Sequence, residues 1–262
     1  MCGIYGAVSD CPNEDKLLMA LCALNAQRGD QSSGVAMKIS ETQSSIFKRV
    51  MHPGKFCKKI PRYVNSVKHM TVLGHTRWST HGAINKQNAH PFKVGKVVGT
   101  HNGVVSNVKE MQDFLACSKY EVDSQYLIHS LATKGNLGVA HGSLNVAYFV
   151  EEDNFLLHLI RYNNPLAIAF VNNDKGLVYS SDIEHLEEAI KWCKIDAEIY
   201  KVTTNCKLDF FKQENGEIGL LESDVEFDST RKEYASKTMG FCSGVVYDDY
   251  EDLYRNKQWS LE

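Results

Sequence analysis

Met1-Cys2-Gly3-Ile4-Tyr5-Gly6-Ala7-Val8 opens the chain. Gly3 to Val8 carry small and apolar residues without a charge, the pattern of a short buried strand. Asn13 or Asp15 can cap a helix behind it, because Leu17, Leu18, Leu21, Cys22 and Leu24 recur at helical spacing. After the polar turn Arg28-Gly29-Asp30-Gln31-Ser32-Ser33, the runs Gly34 to Ile39 and Ser45 to Val50 predict an antiparallel strand pair. Met70 to His75 and Val94 to His101 predict further strands that end in polar clusters, and Ser106–Leu115 and Asp123–Ala132 predict helices. From Leu144 to Leu221 strands dominate, broken at Asn163-Asn164-Pro165, at Asn172-Asn173-Asp174-Lys175-Gly176, and by one helix from Ile183 to Trp192. Strands in runs and helices in runs imply an α+β layered fold.

Composition narrows the function classes. A chain of 262 residues with a net charge of −3 lacks the basicity of a non-specific nucleic-acid binder, so no nucleic-acid partner is expected. Its eight cysteines include no C-x-x-C pair, and its ten histidines include no H-E-x-x-H spacing, so no metal and no disulfide framework is expected. No Walker-type or G-x-G-x-x-G loop is present, and no cofactor is expected. With no signal-like opening and no apolar run near the ~20 residues of a membrane span, the expectation is a soluble cytoplasmic protein with no membrane partner. Lys48 to Lys68 is locally basic but poor in interleaved aromatics, which reads as a solvated face.

Chemistry enters at residue 2. Removal of Met1 would leave one residue with both a thiol and a free α-amine. An α-amine titrates at about 7.7–8.0 and a thiol at about 8.5, so the amine can accept the thiol proton near neutral pH without a histidine. Alone, Cys2 reads equally well as a small residue near an N-terminus by chance.

The blocks that follow carry more. Cys2-Gly3-Ile4-Tyr5-Gly6, Gln27-Arg28-Gly29-Asp30-Gln31-Ser32-Ser33-Gly34 and Gly74-His75-Thr76-Arg77-Trp78-Ser79-Thr80-His81-Gly82 resemble, in order, the opening, arginine-glycine turn and substrate-binding segment of class II glutamine amidotransferases. The wording is closest to the glutaminase domain of glucosamine-6-phosphate synthase. Asn88-Ala89-His90-Pro91-Phe92, Thr100-His101-Asn102-Gly103, Glu121-Val122-Asp123-Ser124, Gly142-Ser143-Leu144-Asn145-Val146-Ala147, Asn163-Asn164-Pro165-Leu166 and Ser180-Ser181-Asp182 continue the series over about residues 2–190. The family usually has an acidic residue where Gln31 stands, which bears on the local turn geometry.

This resemblance implies the four-layer α-β-β-α sandwich of N-terminal-nucleophile hydrolases, with two antiparallel sheets face to face, over residues 2–222. It implies a catalytic group of Cys2 as nucleophile, the Asn102 amide and Gly103 N–H as oxyanion donors, and Arg28 as support for the N-terminal turn. It also implies a substrate group, in which Arg77 meets the α-carboxylate of L-glutamine, Asp123 meets its ammonium, and Trp78, Thr80 and His81 shape the pocket. Outside the resemblance Arg77 would read as a surface ion pair and Asp123 as a helix cap. A sugar-isomerising half needs about another such length of chain, so the expectation is an ammonia-supplying glutaminase with a separate synthase or acceptor protein as partner. The alternative is a non-catalytic glutamine-binding or partner-binding module that retains the fold. Residues 223–262 read as an extension, in which Phe241 to Trp259, with Tyr247, Tyr250 and Tyr254 at helical spacing among acidic residues, form a candidate docking element.

Overall fold

The computed structural model describes residues 2–8 and 10–231; Met1 and the candidate docking element lie outside the described residues. One antiparallel sheet has seven strands. Its centre is β1 (Gly3–Val8) beside β4 (Thr71–Arg77), flanked on one side by β2 (Ser32–Lys38) and β3 (Ser44–Arg49). On the other side stand β10 (Gly176–Ser180), β9 (Ala167–Val171) and the edge strand β11 (Ala197–Lys201). The second sheet runs, edge to edge, β13 (Ile218–Asp224), β12 (Cys206–Lys212), β8 (Phe155–Arg161), β7 (Gly142–Val150), β6 (Val97–Val105) and β5 (Phe92–Val94). The helices are α1 (Glu14–Leu24), α2 (Pro53–Phe56), α3 (Ile60–Val64), α4 (Val108–Leu115), α5 (Asp123–Lys134) and α6 (Ile183–Cys193).

The period-two alternation of side chains explains the layering. On β1, Tyr5 and Ala7 face a core shared with Leu17, Leu18 and Leu21 of α1 and Leu186 and Ile190 of α6. Ile4 and Val8 point the other way and meet Val98, Ala147, Phe149 and Phe210 of the second sheet. That sheet turns Val105, Val146 and Tyr148 outward onto Met111, Tyr126, Leu127 and Ile128 of α4 and α5. A strand buried on both faces needs the uncharged run that Gly3–Val8 supplies. The four layers are therefore helices, sheet, sheet and helices.

Most expected elements are present with shifted ends: β4 runs on to Arg77 and β6 to Val105. Asn13 is the N-cap residue of α1, yet its side chain makes no capping bond; Glu14 and Asp15 in the first turn supply the negative charge instead. The basic stretch is more than a solvated face. Phe56, Ile60 and Val64 are buried beneath α1, and the Lys48 Nζ donates to the carbonyls of Ala89 (2.6 Å) and Pro91 (3.0 Å). Past Glu222 the backbone stays attached to the domain: β13 reaches Asp224, Val225 is buried, and the Asp228 N–H donates to the Gly138 carbonyl at 2.9 Å. No helix among the described residues is long and apolar enough to cross a membrane.

Candidate active site

Strand register brings the site together. Gly3 pairs with Thr76 across β1 and β4, which sets Cys2 beside the end of β4 at Arg77 and Trp78. The Trp78 N–H donates to the Cys2 sulfur at 3.4 Å, and the thiol lies the same distance from the Trp78 carbonyl. Burial raises the Cys2 thiol above its ordinary value, opposed by the Trp78 N–H and by the Arg77 charge. A thiol held in that state stays protonated near neutral pH and needs a base before it can attack. The Cys2 carbonyl accepts from the Arg28 Nε at 3.1 Å, and the Arg28 Nη1 pairs with Asp182 Oδ2 at 3.2 Å. Asp182 also caps α6 by accepting from the Glu184 N–H at 3.1 Å. The Ile4 N–H donates to Ser181 Oγ at 3.1 Å, so the turn before α6 fixes the start of β1.

Arg77 is 2% exposed. Its guanidinium donates to the carbonyls of His81 (2.5 Å) and Ala83 (3.3 Å), so it also pins the exposed loop that carries Trp78, Thr80 and His81. Burial lowers its pKa, against the pull of Cys2 and Asp123. Among the described residues no carboxylate lies within ion-pair distance of it. A buried cation with only neutral partners is costly, which suits a site whose anion arrives with the ligand. Gln31 shapes the same loop, since its Oε1 accepts from the Ser79 N–H at 2.6 Å.

The second sheet contributes the other half. β6 lies across from β1 and β4, and the His75 Nε2 donates to the His101 carbonyl at 3.1 Å, one residue before Asn102. Asn102 is fully buried, and neither its side-chain oxygen nor its nitrogen has a partner among the described residues. An amide in that condition costs about 1–3 kcal/mol, so its orientation is not explained by folding. Gly103 has φ +153°, and a Cβ there would lie 1.8 Å from the Ser143 carbonyl oxygen, so only glycine fits. Asn164 Nδ2 donates to the Asn102 carbonyl at 3.0 Å, while Asn145 Oδ1 accepts from the Asn164 N–H at 3.1 Å. Asp123, 3% exposed, begins α5; its Oδ2 accepts from the Val105 N–H at 2.8 Å instead of capping its own helix. His81 Nδ1 stands 3.8 Å from that oxygen.

Cys2 thus touches both Arg28 and Trp78, Arg77 lies next to Trp78 at the end of β4, and Asp123 is anchored to the strand that bears Asn102 and Gly103. Thr80 lies exposed in the loop. Asp182, Asn145, Asn164 and His75 act around the site without having been singled out. All four lie inside quoted blocks, whose residue order carries no information on which side chains meet. Among the described residues no group of three or more His, Cys, Asp or Glu side chains is arranged to hold a metal.

Two facing antiparallel sheets between helix layers, with a residue-2 cysteine at the head of a central strand, define the N-terminal-nucleophile hydrolase fold. Solved structures share the fold: glutamine phosphoribosylpyrophosphate amidotransferase from B. subtilis superposes with a TM-score of 0.65 at 16% identity, over 86% of this chain and 49% of that one. A structure described as the allosteric regulatory enzyme of purine biosynthesis gives 0.67 at 16% identity, with the same coverage. No family model matches the chain. Among curated proteins, the glutamine–fructose-6-phosphate aminotransferase (isomerizing) of Streptococcus agalactiae serotype III (strain NEM316) is 28% identical over 213 residues, 74% of this chain and 34% of that protein. The enzyme of the same name from Rhizobium meliloti (strain 1021) is 31% identical over 185 residues, 64% of this chain and 30% of its own length. The chain belongs with the class II glutamine amidotransferases, and it spans about a third of the length of the curated relatives it matches.

Proposed function

We propose that the chain is a glutaminase that hydrolyses L-glutamine to glutamate and ammonia through a Cys2 thioester and supplies the ammonia to a separate acceptor enzyme. The observation that carries this reading is the fully buried Asn102 side chain, unpartnered at both ends, on the strand facing Cys2 and Arg77. Arg77, a buried cation without an ionic partner among the described residues, receives the substrate carboxylate in a bidentate pair, and Asp123 receives the ammonium. Once Met1 is removed, the Cys2 α-amine takes the thiol proton and the sulfur bonds to the carboxamide carbon. Negative charge on the carbonyl oxygen is met by Asn102 Nδ2 and the Gly103 N–H. The C–N bond then breaks, the α-ammonium proton passes to the leaving nitrogen, and ammonia departs. Water cleaves the thioester, which gives glutamate and restores the thiol. Arg28, held by Asp182, keeps the Cys2 carbonyl and hence the α-amine in place.

The test compares the mature form, a Met1-retaining form and Cys2→Ala by intact mass, glutamate release and labelling with 6-diazo-5-oxonorleucine. Only the mature form should turn over glutamine and gain an adduct at Cys2. Equal turnover by the Met1-retaining form defeats the α-amine base. Turnover by Cys2→Ala defeats the whole assignment, and glutamine binding without turnover by the mature form would leave a non-catalytic module.

A further inference from the structure

The centre straddles two sheets, with Cys2 and Arg77 on the seven-stranded sheet and Asn102 and Gly103 on the six-stranded one. Catalysis by an oxyanion donor depends on the gap between them. The contact that spans this gap beside Asn102 is the His75 Nε2 to His101 carbonyl bond at 3.1 Å. A carbonyl only accepts, so the proton sits on Nε2. His75 Nδ1 is then a bare lone pair, buried and without a partner among the described residues.

His90 closes the other face of that ring. Its imidazole stacks on His75 with centroids 3.9 Å apart and planes 18° from parallel, and both of its nitrogens are buried and unpartnered. Gly34 permits the approach of this segment: a Cβ there would lie 2.1 Å from the His90 carbonyl oxygen. The Lys48 Nζ grips the carbonyls on either side of His90, those of Ala89 and Pro91. A proton added to either ring would find no acceptor and would face Arg77, Lys48 and His101. Burial depresses both rings accordingly, His75 to about 3. Two neutral imidazoles with three orphan nitrogens make a poor structural core; an aromatic pair with one directed N–H makes a good spacer.

We propose that His75 is a positioning residue of the glutaminase centre: wedged against His90, it bridges β4 to β6 and sets the distance from Cys2 to the Asn102–Gly103 stretch of β6. This rests on the reading of Cys2, Asn102 and Gly103 given above. His75→Leu removes the bridge, whereas His75→Gln can return a donor near the place of Nε2. Three measurements on the mature protein separate the possibilities: glutamine kinetics, the rate of Cys2 alkylation by iodoacetamide, and hydrogen exchange of the backbone at 101–104. Alkylation uses the thiolate but no oxyanion. His75→Leu should lower kcat about 10- to 100-fold with KM within about twofold, as a misplacement near 1 Å can do. It should leave alkylation unchanged and speed exchange at 101–104, and His75→Gln should recover most of both. Unchanged exchange at 101–104 in His75→Leu overturns the proposal, as does an equal loss of turnover and alkylation or the absence of any recovery in His75→Gln. If the unsubstituted protein hydrolyses no glutamine, the glutaminase reading fails on its own, and the exchange data still decide whether His75 holds this part of β6.

Discussion

Two buried polar clusters sit in this domain and they are built on opposite terms. Around Asn102, His75 and His90, side-chain nitrogens and oxygens lie buried with no partner. At the β7–β8 end every group is matched. The Lys38 Nζ donates to the carbonyls of Asp153 (3.1 Å) and Phe155 (2.7 Å), and His158 is clamped between Asp209 (2.6 Å) and Asp153 (3.1 Å). Glu151 accepts from Lys93 and from Ser44, each at 2.6 Å. The second cluster, which ties β2 and β3 to the second sheet, is accounted for by folding alone. The first is not, and the unmet hydrogen-bonding capacity is what a transition state can use.

The largest effect should come from Asn102→Ala. Glutamine turnover should fall about 10²- to 10³-fold, the loss expected for one oxyanion donor. Because neither amide atom has a partner to lose, the thermal midpoint should hold or rise. Paired measurement of glutamate release and thermal unfolding checks both halves. A large drop in stability with turnover intact would move Asn102 into the structural class and erase the contrast.

Asp209→Ala is the mirror experiment, with stability falling by about 3 kcal/mol, the cost of breaking a buried ion pair from one side. The glutaminase centre should keep its specific activity at temperatures where the variant is folded. The pH dependence has a defined sign. Burial alone would lower the His158 pKa, but its bonds to Asp153 and Asp209 outweigh burial and leave it raised. Its contribution is complete below the unfolded value of about 6.5 and is lost as pH rises through the folded value. The two carboxylates are lowered, chiefly by His158 against the opposing effect of burial, so their contribution is present above about 3.9 and is lost as pH falls further. The midpoint difference between the parent and His158→Gln should therefore peak between about pH 4 and 6.5 and shrink at alkaline pH. A difference that grows with pH would reverse the assigned charge state.

Arg77→Lys and Asp123→Asn should each raise KM for glutamine about tenfold with smaller changes in stability, since each would weaken one of the two charged contacts proposed for the backbone end of the substrate. Isothermal titration with glutamate, which carries the same α-groups, reads the loss without turnover. Undiminished glutamate affinity in both variants would break the pocket assignment.

The local parts of this architecture were readable because they depend on neighbours in sequence. Leu17, Leu18 and Leu21 announce α1 by their spacing, and the uncharged run Gly3–Val8 announces a strand covered on both faces. Long-range parts were not. His75 and His90 stand fifteen positions apart on no shared period, and their stacking follows from the path of the chain past Gly34. Lys48 looked like one cation in a solvated run because pattern reports the charge, not the carbonyls of Ala89 and Pro91 that surround its amine. Asp123 read as a helix cap, but it is the first residue of α5, and its carboxylate accepts from the Val105 N–H of β6. The nucleophile, oxyanion and substrate residues came from resemblance, and residue order alone does not carry the second ring, Asp182 behind Arg28 or Asn145 behind Asn164.

Gln31 gives the smallest and most discriminating test. An acidic residue is usual in the family at this position, and the structure identifies the demand it meets: an acceptor for the Ser79 N–H, which Gln31 Oε1 satisfies at 2.6 Å. Ser79 in turn donates through Oγ to the Gly82 carbonyl at 2.9 Å, so this one acceptor helps to shape the loop that Arg77 pins from below. A neutral oxygen and a carboxylate both accept, and the ionised one accepts more strongly by about 1 kcal/mol where desolvation does not cancel the gain. Gln31→Glu should consequently change KM for glutamine by less than about threefold and shift the thermal midpoint by only a few degrees. Gln31→Leu removes the acceptor and leaves the Ser79 N–H unpaired, so its KM should rise further than that of Gln31→Glu while kcat, which the proposed mechanism assigns to Cys2 and Asn102, changes less. If Gln31→Leu matches the parent in KM, the loop is held by Arg77 alone. If Gln31→Glu is as damaging as Gln31→Leu, the site selects against charge at this position, and the glutamine is there to keep a second negative group away from the substrate carboxylate that Arg77 is proposed to bind.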